Sequence, residues 1–160
     1  QRNIEPRSAN AFDERFDSWG IFDLIEAGIT PEQANRYRFN GTRDIVALRD
    51  YKITSDVANS YDPRFTANGI IDLVKNGVPP EVANSYKGKF YGWALSILFK
   101  AGIKPEQANP YLELNERYDT KIDAEDIIRF ISEDISPETI ERLAKEEGLK
   151  KAITEWIPRR

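Results

Sequence analysis

One short pattern recurs along the chain at a nearly constant spacing. The sequence Ala-Asn-X-Tyr ends at Tyr37, Tyr61, Tyr86 and Tyr111, so its tyrosines are 24, 25 and 25 residues apart. A fixed period of this length is the signature of a repeat protein. In such proteins one unit is too small to bury its own apolar face, so neighbouring units must pack on one another. The repeat therefore constrains the fold more than any local feature does.

A longer frame surrounds each copy. Residues 27–33 (Ala-Gly-Ile-Thr-Pro-Glu-Gln) recur almost unchanged at 101–107 and with more differences at 76–82. Residues 51–57 are a degenerate copy, and residues 133–139 are a fifth copy that follows an insertion near residues 112–120. Apolar residues at helical spacing precede each copy, which indicates an amphipathic helix before every turn.

The turn itself carries signals for the end of one helix and the start of the next. Gly28 and its counterparts Gly77 and Gly102 occupy the position where a helix often ends in a left-handed residue. Thr30 and Gln33 then form the pattern of a capping box, with a proline at the first helical position. Lys52 replaces the glycine in the second copy, so we expect a looser or differently made helix end there.

These signals predict an all-α protein, an α-solenoid of helix-turn-helix repeats of about 25 residues with a C-terminal helical cap. We expect one helical-repeat domain, 1–160, with a partial repeat at 1–12, where Phe12 takes the tyrosine position. The full repeats are 13–37, 38–61, 62–86 and 87–111; residues 112–144 form a repeat with an insertion, and 145–160 form the cap. Residues 3–12 match only the second half of a repeat, so they are either a degenerate N-terminal cap or, as we favour, a sign that the chain is a piece of a longer array.

Composition narrows the function. The chain has no Cys and no His, and 27 acidic against 23 basic residues give a net charge of -4. The usual general base and the commonest transition-metal ligands are therefore missing, so we expect no enzyme, no cofactor and no metal site. No apolar run reaches the roughly 18 residues of a membrane span, so we expect no membrane partner.

Two polar features recur in the Ala-Asn-X-Tyr pattern and each has two interpretations. The tyrosines either pack into the next repeat with their hydroxyls near the surface, which we favour, or form a stacking platform for bases. The asparagines either bond to free helix-end carbonyls between repeats, which we also favour, or bind the backbone of a peptide. They are Asn35, Asn59, Asn84 and Asn109.

A basic residue stands directly before a phenylalanine in each of four repeats. This basic row consists of Arg15, Arg38, Arg64 and Lys89. Such a row is suited to a regularly spaced anionic partner. The alternative, which we favour, is an ion pair with the acidic residues that begin the second helices, namely Glu32, Asp56, Glu81 and Glu106.

Trp19 and Trp93 occupy one equivalent position of the repeat, which is held by polar residues elsewhere. Arg43, Asn68 and Glu125 stand at that position in the other copies, and Ile97 likewise stands where Asp23, Asp72 and Arg129 stand. A position that is polar in some repeats is expected to be accessible, where an aromatic side chain is a contact hot spot. The competing interpretation places both tryptophans in the core between repeats.

The sequence therefore favours a protein–protein interaction module or scaffold. We expect its partner to be another protein or further repeats of the same parent chain. The contact residues would be Trp19, Arg43, Asn68, Trp93 and Ile97. The alternative is a single-stranded nucleic-acid-binding protein that uses the basic row together with aromatic stacking.

Overall fold

The computed structural model describes residues 10–88, 90–118 and 122–147, and all regular secondary structure in these ranges is helical. The prediction of an all-α chain is confirmed. Most of the predicted cap and of the partial first repeat lie outside the described residues. The helices are α1 (Ser18–Glu26), α2 (Pro31–Arg36), α3 (Thr42–Asp50), α4 (Ser55–Ser60), α5 (Ala67–Lys75), α6 (Pro80–Ser85), α7 (Gly92–Lys100), α8 (Pro105–Tyr118), α9 (Ala124–Ser132) and α10 (Pro137–Glu147).

The chain divides into two compact units, Gln1–Pro80 and Glu81–Arg160. In the first unit α1 packs on α3 and α3 on α5, while the shorter α2 packs on α4. In the second unit α7 packs on α9, and α8 packs on both α9 and α10. Within each unit, the first helices of successive repeats therefore contact one another, and the second helices do the same.

The apolar stripe of each first helix forms the core of its unit. Its central residues are fully buried, among them Leu24, Ile45, Leu48, Ile70, Leu73, Leu95, Leu98, Ile127 and Phe130. The alanine of each Ala-Asn-X-Tyr pattern is fully buried as well, at Ala34, Ala58, Ala83 and Ala108. A methyl group is small enough for close packing at this position, and such packing stabilises short helices that would be marginal alone.

The first helices end in the left-handed conformation that the sequence predicts. Gly28, Gly77 and Gly102 have φ values of 69°, 68° and 72°. In the first turn the amide of Ile29 donates to the carbonyl of Leu24 at 2.9 Å, the long-range bond of a Schellman motif.

The expectation of a looser or differently made helix end at Lys52 is wrong. Lys52 has φ 59°, and the amide of Ile53 donates to the carbonyl of Leu48 at 2.9 Å, as in the glycine turns. Asp134 adopts the same conformation in the fifth repeat, with φ 56°. The surrounding backbone bonds therefore hold a non-glycine residue in a region that costs it about 1–2 kcal/mol.

Threonine side chains begin several of the helices. Thr30 and Gln33 form the predicted capping box, in which each side chain bonds the other residue's backbone amide. Thr54 and Thr66 cap α4 and α5 in the simpler way, each accepting a bond from an amide three residues on. These side chains satisfy amides that a helix leaves unpaired at its start.

The insertion after the fourth repeat extends a helix. The sequence predicts that each second helix ends near its tyrosine, but α8 continues past Tyr111 as far as Tyr118, with Pro110 inside it. Leu112 and Leu114 in the extension are buried. The burial of these two side chains explains why the helix continues where its counterparts stop.

Candidate functional site

In three repeats, the asparagine of the Ala-Asn-X-Tyr pattern bonds to the backbone around the aromatic residue that ends the preceding repeat. The Asn59 amide nitrogen donates to the Arg36 carbonyl at 2.7 Å, and its side-chain oxygen accepts from the Arg38 amide at 3.1 Å. These two bonds bracket Tyr37 of the preceding repeat. Asn35 brackets Phe12 in the same manner, through the Ala11 carbonyl and the Asp13 amide, and Asn109 brackets Tyr86 through the Ser85 carbonyl and the Lys87 amide.

The repeated tyrosines join each repeat to the one after it. The Tyr37 hydroxyl donates to the Ile53 carbonyl at 2.7 Å, and the Tyr61 hydroxyl donates to the Val78 carbonyl at 2.8 Å. In the second unit Tyr86 and Tyr111 donate to Ile103 and Ile135 at 2.5 and 2.6 Å. Each acceptor directly follows the left-handed residue of the next turn. All four tyrosine rings are buried. The rings therefore do not form an accessible stacking platform.

Two arginines of the basic row donate to backbone carbonyls at or just past the C-terminal ends of their own repeats. Arg15 donates to the carbonyls of Ala34 and Asn35 at 3.2 and 3.3 Å. Arg38 donates to the carbonyls of Tyr61 and Asp62. These carbonyls lie in or just past the last turns of α2 and α4, where backbone acceptors lack a partner four residues further on.

The favoured ion pairing of the basic row with the acidic residues of the second helices is wrong for Arg15 and Arg38. Glu32 instead pairs with Arg36 one turn later, at 2.6 Å. Burial lowers the pKa of Arg38, and the nearby charge of Asp62 opposes that shift. Arg64 lies over the ring of Phe65, and Lys89 lies outside the described residues.

The second residue of every first helix is exposed. In the first unit these second-position residues are Trp19, Arg43 and Asn68, on the packed helices α1, α3 and α5. In the second unit they are Trp93 and Glu125, on α7 and α9. The indole of Trp19 is 81% exposed and that of Trp93 is 48% exposed. The interpretation that places these tryptophans in the core is therefore wrong.

Ile97 lies one turn after Trp93 on α7 and is half-buried. The predicted contact residues thus fall in two units: Trp19, Arg43 and Asn68 in the first, and Trp93 and Ile97 in the second. None of these five side chains takes part in the asparagine or tyrosine hydrogen bonds described above.

The sequence reasoning missed Tyr91, which is 70% exposed and precedes α7. It occupies the N-cap position, and α7 has no side-chain cap bond. The same position holds Asp17, Gly41, Thr66 and Asp123 in the other repeats. An alignment of the repeats would have revealed it, because an aromatic residue at an N-cap is unfavourable for the helix.

The most strongly shifted carboxyl group lies in the second unit, between α8 and α10. The Tyr118 hydroxyl donates to Glu141 at 2.6 Å, and Lys145 and Arg117 lie 3.2 and 3.0 Å away. These partners lower the pKa of Glu141 to about 2. A carboxylate that stays charged at neutral pH suits a stabilising network and is poorly matched to proton transfer.

The residues that the structure describes give no support for a metal site or a membrane-spanning helix. There, no three or more Asp and Glu side chains are grouped in a way that could hold a metal ion. None of the helices in the described ranges combines the length and the apolar character needed to cross a membrane. Comparison with protein-family models, with curated proteins and with solved structures gave no match.

Proposed function

We propose that this chain is a protein-binding module in which the helical hairpins stack as an α-solenoid. The recurrence of the same asparagine and tyrosine bonds within each unit supports continuous stacking. Within a unit, a repeat bonds to its predecessor through the asparagine and to its successor through the tyrosine, which is the nearest-neighbour organisation of a solenoid.

The exposure of Trp19 and Trp93 is the observation that carries the binding proposal. Large aromatic side chains are the residues that most often dominate the energy of protein interfaces. Here they stand at a position where the other repeats have Arg43, Asn68 and Glu125, so the fold does not require an aromatic residue there. We propose Trp19, together with Arg43 and Asn68 on the next two first helices of the unit, as one contact and Trp93 with Ile97 as another.

Tyr91 strengthens the second contact. A threonine or aspartate at an N-cap stabilises a helix by about 1 kcal/mol relative to a residue that cannot cap. The fourth repeat lacks this stabilisation and instead presents an exposed aromatic ring two residues before Trp93. A side chain retained against local stability is typical of a functional position.

The test uses substitutions taken from the protein's own repeats. Trp19→Arg and Trp93→Asn introduce the residues of Arg43 and Asn68, and Glu116→Gln on α8 is the exposed control. We expect the tryptophan variants to change stability by no more than about 0.5 kcal/mol, as exposed substitutions usually do, and to lose a partner that wild-type and control proteins both bind. A photo-crosslinker at position 93 identifies that partner, and binding is then measured with the purified pair. Equal affinity of the double variant and wild type would refute the proposal.

A non-enzymatic role is part of the same proposal and is supported by the absence of Cys and His from the sequence. The nucleic-acid alternative has weaker support, because Arg15 and Arg38 already donate to backbone carbonyls. It predicts binding of single strands that weakens steeply with salt, which an electrophoretic shift series at several ionic strengths measures.

A further inference from the structure

A groove lies between the turns of the first two hairpins, within the first unit. Its volume is about 460 Å³, in the size range of ligand pockets. Tyr37 and Ile53 are buried in its lining, and Arg36, Arg49 and Lys52 contribute three positive charges. Asp56 is the acidic residue of the lining.

The cations of this groove depart from the repeat. Arg49 occupies a position that is apolar elsewhere, at Ile25, Val74, Phe99 and Ile131. Lys52 occupies a position that is otherwise Gly28, Gly77, Gly102 and Asp134. Arg36 stands where the next three repeats have Ser60, Ser85 and Pro110, and the fifth has Arg142. The fold therefore does not require positive charge at these positions.

The backbone conformation of Lys52 is strained. Its φ of 59° places it in the left-handed region, where glycine would be unstrained. Among the residues described, its ammonium group has no ion-pair partner, so the strain is not offset by a salt bridge within the protein. Strained residues persist mainly where they serve a function.

The equivalent groove in the second unit forms without cations at the positions of Arg49 and Lys52. It has a volume of about 380 Å³ and contains Phe99 and Gly102 in place of Arg49 and Lys52. Its charged residues are Glu81, Lys104 and Glu106. Among the lining residues, the excess of charge is thus positive in the first groove and negative in the second.

The arginine ion pairs leave the first groove able to accept a ligand. Arg36 pairs with Glu32 at 2.6 Å and Arg49 with Asp50 at 3.1 Å, and both pairs are exposed. Exposed pairs contribute about 0–1 kcal/mol, less than a bidentate bond between arginine and a multiply charged anion. The Arg49 guanidinium also reaches across to the first turn, 3.7 Å from where a Cβ atom on Gly28 would lie.

We infer that this groove binds a phosphomonoester group. A phosphomonoester carries a charge of about -1.5 to -2 at neutral pH and three strong acceptor oxygens, which matches three cations better than a carboxylate does. Two guanidinium groups offer paired donors to those oxygens, and Lys52 supplies a third charge. This site is independent of the tryptophan contacts.

The binding test uses phenyl phosphate, with phenol and acetate as controls, titrated into the full chain and followed by backbone amide NMR shifts. A phosphoserine peptide and its unphosphorylated form are the second arm. We expect saturable binding of phenyl phosphate, with shifts at residues of the groove. Tighter binding of the phosphopeptide identifies a phosphorylated protein as the source of the group, and equal binding identifies a small phosphorylated molecule. Failure of both phosphate ligands to saturate, or equal binding of phenol, overturns the inference.

The variants are again taken from the other repeats, so that they remain compatible with the fold. Arg36→Ser, Arg49→Ile and Lys52→Gly are each expected to weaken phenyl phosphate binding about tenfold, the effect of losing one charge-assisted bond. Lys52→Gly removes backbone strain, so lost binding there cannot be attributed to unfolding. Lys104→Thr removes a charge from the second groove and is expected to leave affinity unchanged. Unchanged affinity in all three groove variants would overturn the inference. Trp19→Arg and Trp93→Asn are expected to keep phosphate binding, which separates the phosphate site from the proposed protein contacts.

Discussion

The cost of placing a Cβ atom in the left-handed conformation can be measured at the repeat turns, by adding the atom at a glycine and by removing it at Lys52. Gly77 has φ 68°, and a Cβ atom added there would meet no atom within 4 Å. Gly77→Ala therefore adds strain without a clash. The left-handed conformation costs alanine about 1–2 kcal/mol, and the reduced freedom of the unfolded chain returns about 0.4–1 kcal/mol. We expect a net loss of about 1 kcal/mol in the free energy of unfolding.

Lys52→Gly is the opposite change at the equivalent turn of another repeat, because it removes the Cβ atom from a left-handed residue. The Schellman bonds at Lys52 match those of the glycine turns, so glycine relieves the strain and keeps the turn. We expect a gain of about 0.5–1 kcal/mol, after the entropy that glycine adds to the unfolded chain is subtracted. The phosphate-binding proposal explains why the sequence forgoes this gain.

Urea unfolding followed by far-ultraviolet circular dichroism measures both effects. Gly77→Ala should lower the transition midpoint and Lys52→Gly should raise it, with the slope unchanged. Gly102→Ala is the replicate in the second unit, since its φ is 72° and a Cβ atom there also meets nothing within 4 Å. Lys100→Gly is the control for glycine itself, because it lies in α7 and should destabilise by up to about 1 kcal/mol. A destabilised Lys52→Gly or an unaffected Gly77→Ala would refute the assignment of strain to these turns.

Three further predictions concern other contacts of the repeat. Asn59→Ala removes both of the solvent-exposed bonds that bracket Tyr37 and should destabilise by about 1 kcal/mol, whereas Asn68→Ala, a control that leaves both bonds in place, should be near neutral by urea unfolding. Burial, with a smaller contribution from the Glu106 charge, raises the pKa of Tyr86 from 10.0 to about 12. Its protonated hydroxyl should therefore stabilise the fold fully below pH 10 and lose that effect as the pH rises through 12, and Tyr86→Phe should weaken this alkaline dependence in circular dichroism. Tyr91→Thr restores the missing cap of α7 and should raise stability by about 1 kcal/mol, while the proposed partner binds more weakly; a lower melting temperature would contradict this.

The period, the helical hairpins and the position of each turn could be predicted from the sequence, because they depend on residues close together in the chain. The Thr30 capping box and the Gly28 helix end are examples, since both are completed within a few residues. The Lys52 turn was predicted wrongly because the prediction considered the residue type at that one position. Lysine is unfavourable in the left-handed region, but the backbone bonds of the helix end, which span five residues, impose that conformation.

The sequence by itself determined that the chain forms helical hairpins, through spacing and capping residues that act over a few residues. Only the tertiary structure decided the partners of Asn59 and Arg38, because these bonds join residues more than 20 positions apart. It also decided that Trp19 is exposed and that Arg36, Arg49 and Lys52 share a groove. Helical periodicity says which residues share a face of one helix, but the packing of neighbouring repeats determines which of those faces are covered.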